Sequence, residues 1–246
     1  MSFAAFVISL ERSQLRFKHA HTLLPRIPLP GEILPAVDGR AMTAEQTNTV
    51  YVRCLHKPMY PFVLGSGEIG CFLSHRKAWQ QISQRKLDAG LVLEDDVSID
   101  DAQLTKSLEL LRHECPGNAY VQLPVRPLGQ IASSIVEGND SRIVRPTVTP
   151  LRTSGQWVTR HAAEQLLAAT ERFDRPVDVM LQMFWVTGVR LMAIEPAGIS
   201  DMTNELGGST ISTRKSHGLK LTTFSREWNR TLYRWRISRL SKNRVA

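Results

Sequence analysis

Leu91-Val92-Leu93-Glu94-Asp95-Asp96-Val97 decides the fold. Three consecutive apolar residues without polar alternation describe a strand covered on both faces, the habit of a sheet sandwiched between helices. Gly90 reads as the end of a preceding helix, and three acids follow the strand. Strand alternation puts Glu94 and Asp96 on one face, about 6–7 Å apart, with Asp95 on the other. Carboxylates at the C-terminal end of a strand stand where open α/β sheets bind ligands. Hard oxygen donors at that reach suit Mg²⁺ or Mn²⁺ bridging to phosphates. The plainer alternative is a set of solvated acids ahead of a helix, favoured by its dipole.

Upstream of this stretch, Phe72, His75, Trp79 and Ile82 fall at i, i+3, i+7 and i+10, the stripe of an amphipathic helix. Further upstream, residues 4–9 read as a first strand and residues 32–37 as a second, closed by the turn pair Asp38-Gly39. Downstream, Asp100 or Asp101 can cap a helix carrying Leu104, Leu108 and Leu111. Strands are expected at 119–123, 155–158 and 191–195, with helices at 162–169 and from Pro176 onward. Strands alternating with helices predict an α/β fold with a mainly parallel sheet. Residues 126–154, rich in Pro, Gly and Ser, read as a long, partly mobile insertion whose only strand-like stretch is 141–144.

Gly65-Ser66-Gly67-Glu68-Ile69-Gly70 matches a dinucleotide-binding GxGxxG, and the acids arrive about 24 residues later. Two features argue against that reading. Glu68 would set a carboxylate where the pyrophosphate belongs, and the preceding apolar run is only Phe62-Val63-Leu64, just after Pro61.

The chain has 246 residues and a net charge of +8. Residues 212–246 hold ten Lys/Arg against Glu227 alone, so this tail carries +9, while the first 211 residues carry 21 basic and 22 acidic groups. A neutral body disfavours nucleic-acid binding, which needs a basic face. Phe224, Trp228, Leu232 and Trp235 recur at helical spacing among the arginines, a cationic amphipathic helix suited to an anionic membrane surface. The alternative is a C-terminal helix docked on the body. No run reaches the 18 apolar residues of a transmembrane helix, and residues 3–10 read as a strand, not a signal peptide. Three cysteines (Cys54, Cys71, Cys115) without a CxxC pair point to a reducing, cytoplasmic home.

Four pieces occur in order: Val7-Ile8-Ser9-Leu10-Glu11-Arg12-Ser13, Ala36-Val37-Asp38-Gly39, Gly67-Glu68-Ile69-Gly70-Cys71-Phe72-Leu73-Ser74-His75 and Leu91-Val92-Leu93-Glu94-Asp95-Asp96. Together they closely resemble glycosyltransferase family 25, the bacterial lipopolysaccharide and lipooligosaccharide galactosyltransferases related to collagen galactosyltransferases. Ser154-Gly155-Gln156-Trp157-Val158 and Pro176-Val177-Asp178 resemble later family elements, although Gln156 and Trp157 stand where the family has a small residue and a tyrosine.

The resemblance implies one GT-A-like domain over residues 1–211, followed by the basic amphipathic tail at 212–246. It implies inverting transfer of a hexose, most often galactose, from a UDP-sugar to a glycolipid or oligosaccharide acceptor. The cysteines and the basic tail add the expectation of a cytoplasmic enzyme, peripheral on the inner membrane. Ser9, Leu10, Arg12, Asp38, Gly39, Glu68, His75 and Asp95 become donor-binding candidates. Glu94, Asp96 and His217 become candidate ligands for Mn²⁺ or Mg²⁺. An inverting transfer needs a base for the acceptor hydroxyl, and Asp178 is the candidate. Each has an ordinary alternative: a core histidine at 75, an exposed loop arginine at 12, an Asp-Gly turn at 38–39, a solvated tail histidine at 217, a first-turn acid at 178. Two other readings stay open: an NAD(P)-dependent oxidoreductase using residues 65–70, and a non-catalytic membrane-surface or nucleic-acid-binding protein acting through the tail.

Overall fold

The structure, a computed structural model, describes residues 2–138, 140–208 and 220–243, with side chains of the last segment described from 226 to 241. In chain order the elements are β1 (Phe3–Ser9), α1 (Gln14–Leu23), β2 (Gly31–Pro35), α2 (Ala44–Val50), α3 (Ser66–Gln84), β3 (Ala89–Glu94), β4 (Val97–Ile99), α4 (Asp101–Glu114), β5 (Tyr120–Gln122), β6 (Ile131–Gly138), β7 (Ser141–Pro146), β8 (Gly155–Thr159), α5 (Arg160–Ala169), α6 (Val177–Leu181), α7 (Phe184–Thr187), β9 (Leu191–Glu195), β10 (Ile199–Asp201) and α8 (Lys220–Asn243).

Eight strands form one sheet in the order β2-β1-β3-β8-β5-β9-β7-β6, and β10 pairs with β4 apart from it. β1 runs parallel to β2 and β3, and β5 to β9; β8 is antiparallel to both of its neighbours, and β7 to both of its own. Six strands therefore point one way and two the other, an α/β sheet of mainly parallel direction. The central place of β3 explains its uninterrupted apolar run. Leu91 and Leu93 enter a core with Leu23 of α1 and Leu104, Leu108 and Leu111 of α4. Val92 faces the opposite core, with Phe72, Trp79 and Ile82 of α3 and Leu166 of α5. Asp100 caps α4, its side chain accepting from Gln103 N at 3.0 Å.

Three expectations need correcting. Gly90 lies within β3 rather than ending α3, which stops at Gln84. A Cβ at Gly90 would stand 2.6 Å from Ile82 Cγ1, so the glycine lets α3 close onto the sheet. Residues 126–154 are not a loose insertion: β6 and β7 form a hairpin that β7 joins to β9. Finally, α8 docks through a different stripe from the one its aromatics suggest. Tyr233 and Ile237 are buried against Met183, while Trp228 and Trp235 are 64% and 56% exposed. The Phe224 side chain lies outside the described residues. No described helix is long and apolar enough to cross a membrane.

Candidate active site

The C-terminal ends of β1 and β3, the start of α3 and the loop at 36–39 enclose a first cavity. Of the residues singled out from the sequence, Ser9, Leu10, Arg12, Asp38, Gly39, His75, Glu94, Asp95 and Asp96 all line it. Gly39 and Gly70 make the close approach possible. A Cβ at Gly39 would stand 1.9 Å from Ser66 O, and one at Gly70 2.7 Å from Gly39 N. Ser74 fastens the contact: its hydroxyl accepts from Val37 N at 2.8 Å and donates to Gly70 O at 2.7 Å.

This arrangement overturns the dinucleotide reading. Residues 62–64 form no strand, and Glu68 turns back to cap α3, accepting from Gly65 N at 2.7 Å. The glycines serve packing between loop and helix, and a carboxylate occupies the helix start. Glu68 lines a second cavity rather than the first.

Arg12 reaches over the first cavity to Asp38, Nε to Oδ2 at 2.5 Å, and holds that carboxyl below its ordinary range. The strand ends at Glu94, so its alternation does not extend to Asp95 and Asp96, which sit in the turn before β4. Asp95 accepts from Ser9 Oγ at 2.8 Å and from Arg16 Nη1 at 3.2 Å. Arg16 Nη2 lies 3.0 Å from Asp96 Oδ2, and Thr203 donates to the same oxygen at 3.0 Å. Burial pushes the Asp96 carboxyl up to about 6, with the charge of Glu94 adding to the effect and Arg16 opposing it.

His75 stands in a buried relay. Trp79 Nε1 donates to Gln156 Oε1 at 3.0 Å, Gln156 Nε2 donates to His75 Nδ1 at 2.7 Å, and Nε2 then carries the proton to Glu94 Oε1 at 3.0 Å. Thr153 donates to the same Glu94 oxygen at 3.0 Å. Burial alone would raise Glu94, but the bonds from His75 and Thr153 outweigh it and hold the carboxylate ionised. His75 is thus a buried histidine, at the wall of the first cavity, bonded to an acid. Gln156 belongs to that relay beneath the site, and Trp157 packs in the opposite core, beside the Phe3 ring.

The second cavity adjoins the first and shares Cys71, Glu94 and Asp96 with it. Asp178, at the start of α6, lines it too. Its carboxylate accepts from Val179 N at 2.8 Å and Arg152 N at 3.1 Å. Burial pushes its pKa up against those two bonds.

The donor set fits a hard divalent cation. The hydrogen bonds and the ion pair just described fall on one oxygen each of Glu94 and Asp96, leaving the second oxygens without a hydrogen-bond partner among the described residues. The charge of Glu94 raises the proton affinity of Asp96, a setting that an added positive charge relieves. Ligand atoms of Cys71, His75 and Glu94 also lie within 4.8 Å of one another. However, burial pushes the Cys71 thiol well above its ordinary range, and both His75 nitrogens are engaged. His217 lies outside the described residues.

Sequence reasoning missed Arg16, Arg152, Thr153 and Thr203. Arg16 sits on α1, which no motif or periodicity noted above marks, and the other three come from segments without periodic signal.

A family profile described as glycosyltransferase family 25 (LPS biosynthesis protein) matches residues 3–181. A glycosyltransferase 25 family member of Drosophila melanogaster is 35% identical over 187 residues, 73% of this chain and 30% of that protein. Procollagen galactosyltransferase 2 of Homo sapiens is 33% identical over 109 residues, 43% of this chain and 17% of that one. The chain thus spans less than a third of the length of these curated relatives. Among solved structures, a glycosyltransferase involved in glycosylation of the major capsid of PBCV-1 aligns over 67% of this chain and 63% of that chain, at 10% identity and a TM-score of 0.34.

Proposed function

The chain belongs to glycosyltransferase family 25, and from that premise we propose that it moves a hexose, galactose first among candidates, from a UDP-sugar to a lipopolysaccharide or lipooligosaccharide acceptor with inversion. One observation carries the reading: Glu94 and Asp96 line both cavities, with Asp178 facing them from the second. A donor in the first cavity and an acceptor in the second would meet at these carboxylates.

The residues divide the work accordingly. Arg12 is exposed enough to turn from Asp38 to a phosphate, and Asp38 then accepts from the nucleoside. Ser9 and Arg16 fix Asp95, which braces the turn holding Asp96. His75 and Thr153 hold Glu94 in one orientation. Glu94 and Asp96 would hold Mn²⁺ or Mg²⁺, which when bound supplies positive charge to the departing diphosphate. Asp178 takes the proton from the acceptor hydroxyl as the new glycosidic bond forms. Its raised pKa suits that task better than an ordinary carboxylate would.

Residues 1–211 would be the catalytic body and 212–246 an appendage. With Trp228 and Trp235 turned outward among arginines, α8 would rest on the anionic cytoplasmic face of the inner membrane, where a glycolipid acceptor is confined.

Thermal shift tests the reading. A ligand that binds only the native state raises its melting point, by about 2.7 kcal/mol of stability at a hundred times its Kd. UDP with Mn²⁺ should raise it and NADP should not. Stabilisation by NADP alone would return the oxidoreductase alternative.

A further inference from the structure

α8 reaches the second cavity with Arg230 and, one helical turn on, Tyr233 and Arg234. Tyr233 is the fastener. Its buried hydroxyl accepts from Arg175 Nη1 at 2.6 Å, and its ring stands edge-on to Tyr60 at 5.3 Å. Arg175 is fully buried, paired with Asp174 at 2.6 Å, and donates to the carbonyls of His56 and Pro58. It also precedes Asp178 by three residues, so the helix is bolted to the segment that carries the candidate base.

The arginines of this cavity are not equivalent. Arg152 is spent on Asp201. Arg230 lies over the Phe62 ring, 5.8 Å from its centroid. Arg234 forms no ion pair among the described residues. Four acids line the same cavity, yet neither α8 arginine comes within ion-pair distance of one among the described residues. The cavity therefore carries carboxylates and, from α8, guanidinium groups not paired with them, beside the aromatic rings of Tyr60 and Phe62. A guanidinium fork matches phosphate or carboxylate in two-point geometry, and an aromatic face accepts the apolar side of a pyranose.

We infer that Arg230 and Arg234 form an anion subsite, so that the acceptor is a glycan bearing a phosphate or carboxylate on, or next to, the sugar that reacts. The inference rests on the glycosyltransferase reading for the word acceptor, but its test needs no turnover. Equilibrium binding of glucose 6-phosphate, glucuronate and glucose to the full chain compares three sugars that differ at a single carbon. At low salt, an anionic sugar should bind at least tenfold more tightly than glucose. That advantage should fall at least fivefold on raising the salt, and it should vanish in Arg230→Gln/Arg234→Gln. Both changes keep Tyr233 in place; if that variant unfolds, Arg234→Gln alone should still reduce the advantage severalfold.

Equal binding of all three sugars would overturn the inference. So would an advantage that survives the double variant, or one that Arg12→Ala abolishes, since the anion would then sit in the first cavity. A chain stabilised by UDP and Mn²⁺ but indifferent to sugar charge keeps the transferase reading and loses this subsite. A chain that prefers anionic sugars but ignores UDP loses the transferase reading instead.

Discussion

Nη2 of Arg16 lies 3.0 Å from Oδ2 of Asp96 while its Nη1 lies 3.2 Å from Oδ1 of Asp95, with all three side chains buried. One guanidinium thus balances two carboxylates, and removing it strands both. Breaking a buried ion pair from one side costs about 3–5 kcal/mol, so Arg16→Met should lower stability by that order. Urea unfolding at neutral pH measures it. Acidification should narrow the gap to wild type, because protonating the two acids removes the charges that Arg16 balances.

The metal assignment ranks three neighbouring acids. Asp96→Asn keeps shape and removes a charge, so it should abolish Mn²⁺-dependent turnover of a UDP-sugar while the fold persists. Glu94→Gln should weaken turnover similarly. Asp95→Asn should be milder on turnover and harsher on melting temperature, because Asp95 bonds to Ser9 and Arg16 and does not line the second cavity. Undiminished turnover in Asp96→Asn would contradict the assignment.

Asp178 should separate chemistry from stability. As the base, its loss in Asp178→Asn should lower kcat by about 10²–10⁴-fold without weakening donor binding. The pH profile carries a sign. The base must be ionised to accept a proton, and burial raises its pKa, so kcat should fall on acidification at a higher pH than an ordinary aspartate would give. If Asp178 were only a helix-start acid, the substitution would shift melting temperature and leave kcat alone.

Gln156 offers a test of positioning. Gln156→Leu removes the partner of both Trp79 Nε1 and His75 Nδ1. Buried groups left unpaired cost about 1–3 kcal/mol each. His75 then loses the tautomer that holds Glu94, so the concentration of Mn²⁺ needed for half-maximal activity should rise. A change in melting temperature with an unaltered metal requirement would reduce the relay to core packing.

The dock of the tail and its outer face call for separate variants. Tyr233→Phe deletes the acceptor of a buried arginine and should cost about 1.5–3 kcal/mol. Trp228→Ala/Trp235→Ala touches only exposed rings and should loosen binding to anionic vesicles at low salt without a loss of stability. Equal co-sedimentation of that variant and wild type would make α8 ordinary structure.

Legibility in the sequence followed the range of the forces involved. The β3 run, the α3 stripe through Phe72, His75, Trp79 and Ile82, and the Asp100 cap are local patterns that one burial direction explains, and each stands where the residues predict. Of the β6–β7 hairpin the strand-like stretch at 141–144 was legible as β7, but its pairing was not, because the outer strand is largely exposed and the place of β7 comes from pairing with β9, some fifty residues away. Arg16 looks like any surface arginine until the turn at 95–96 arrives beside it. On α8 two stripes carry aromatic or aliphatic residues, and only the body's Met183 and Arg175 decide that Tyr233 and Ile237 face inward.

On the proposed reading, two carboxylates shared by two cavities divide a nucleotide-sugar donor from its acceptor. Release of UDP from UDP-galactose and a panel of other UDP-sugars, by the purified chain with Mn²⁺ and with EDTA, tests it most directly. UDP release that depends on the metal, is lost in Asp96→Asn and is accelerated by an acceptor glycan is the result expected. No release from any UDP-sugar, or release indifferent to both EDTA and Asp96→Asn, would contradict it.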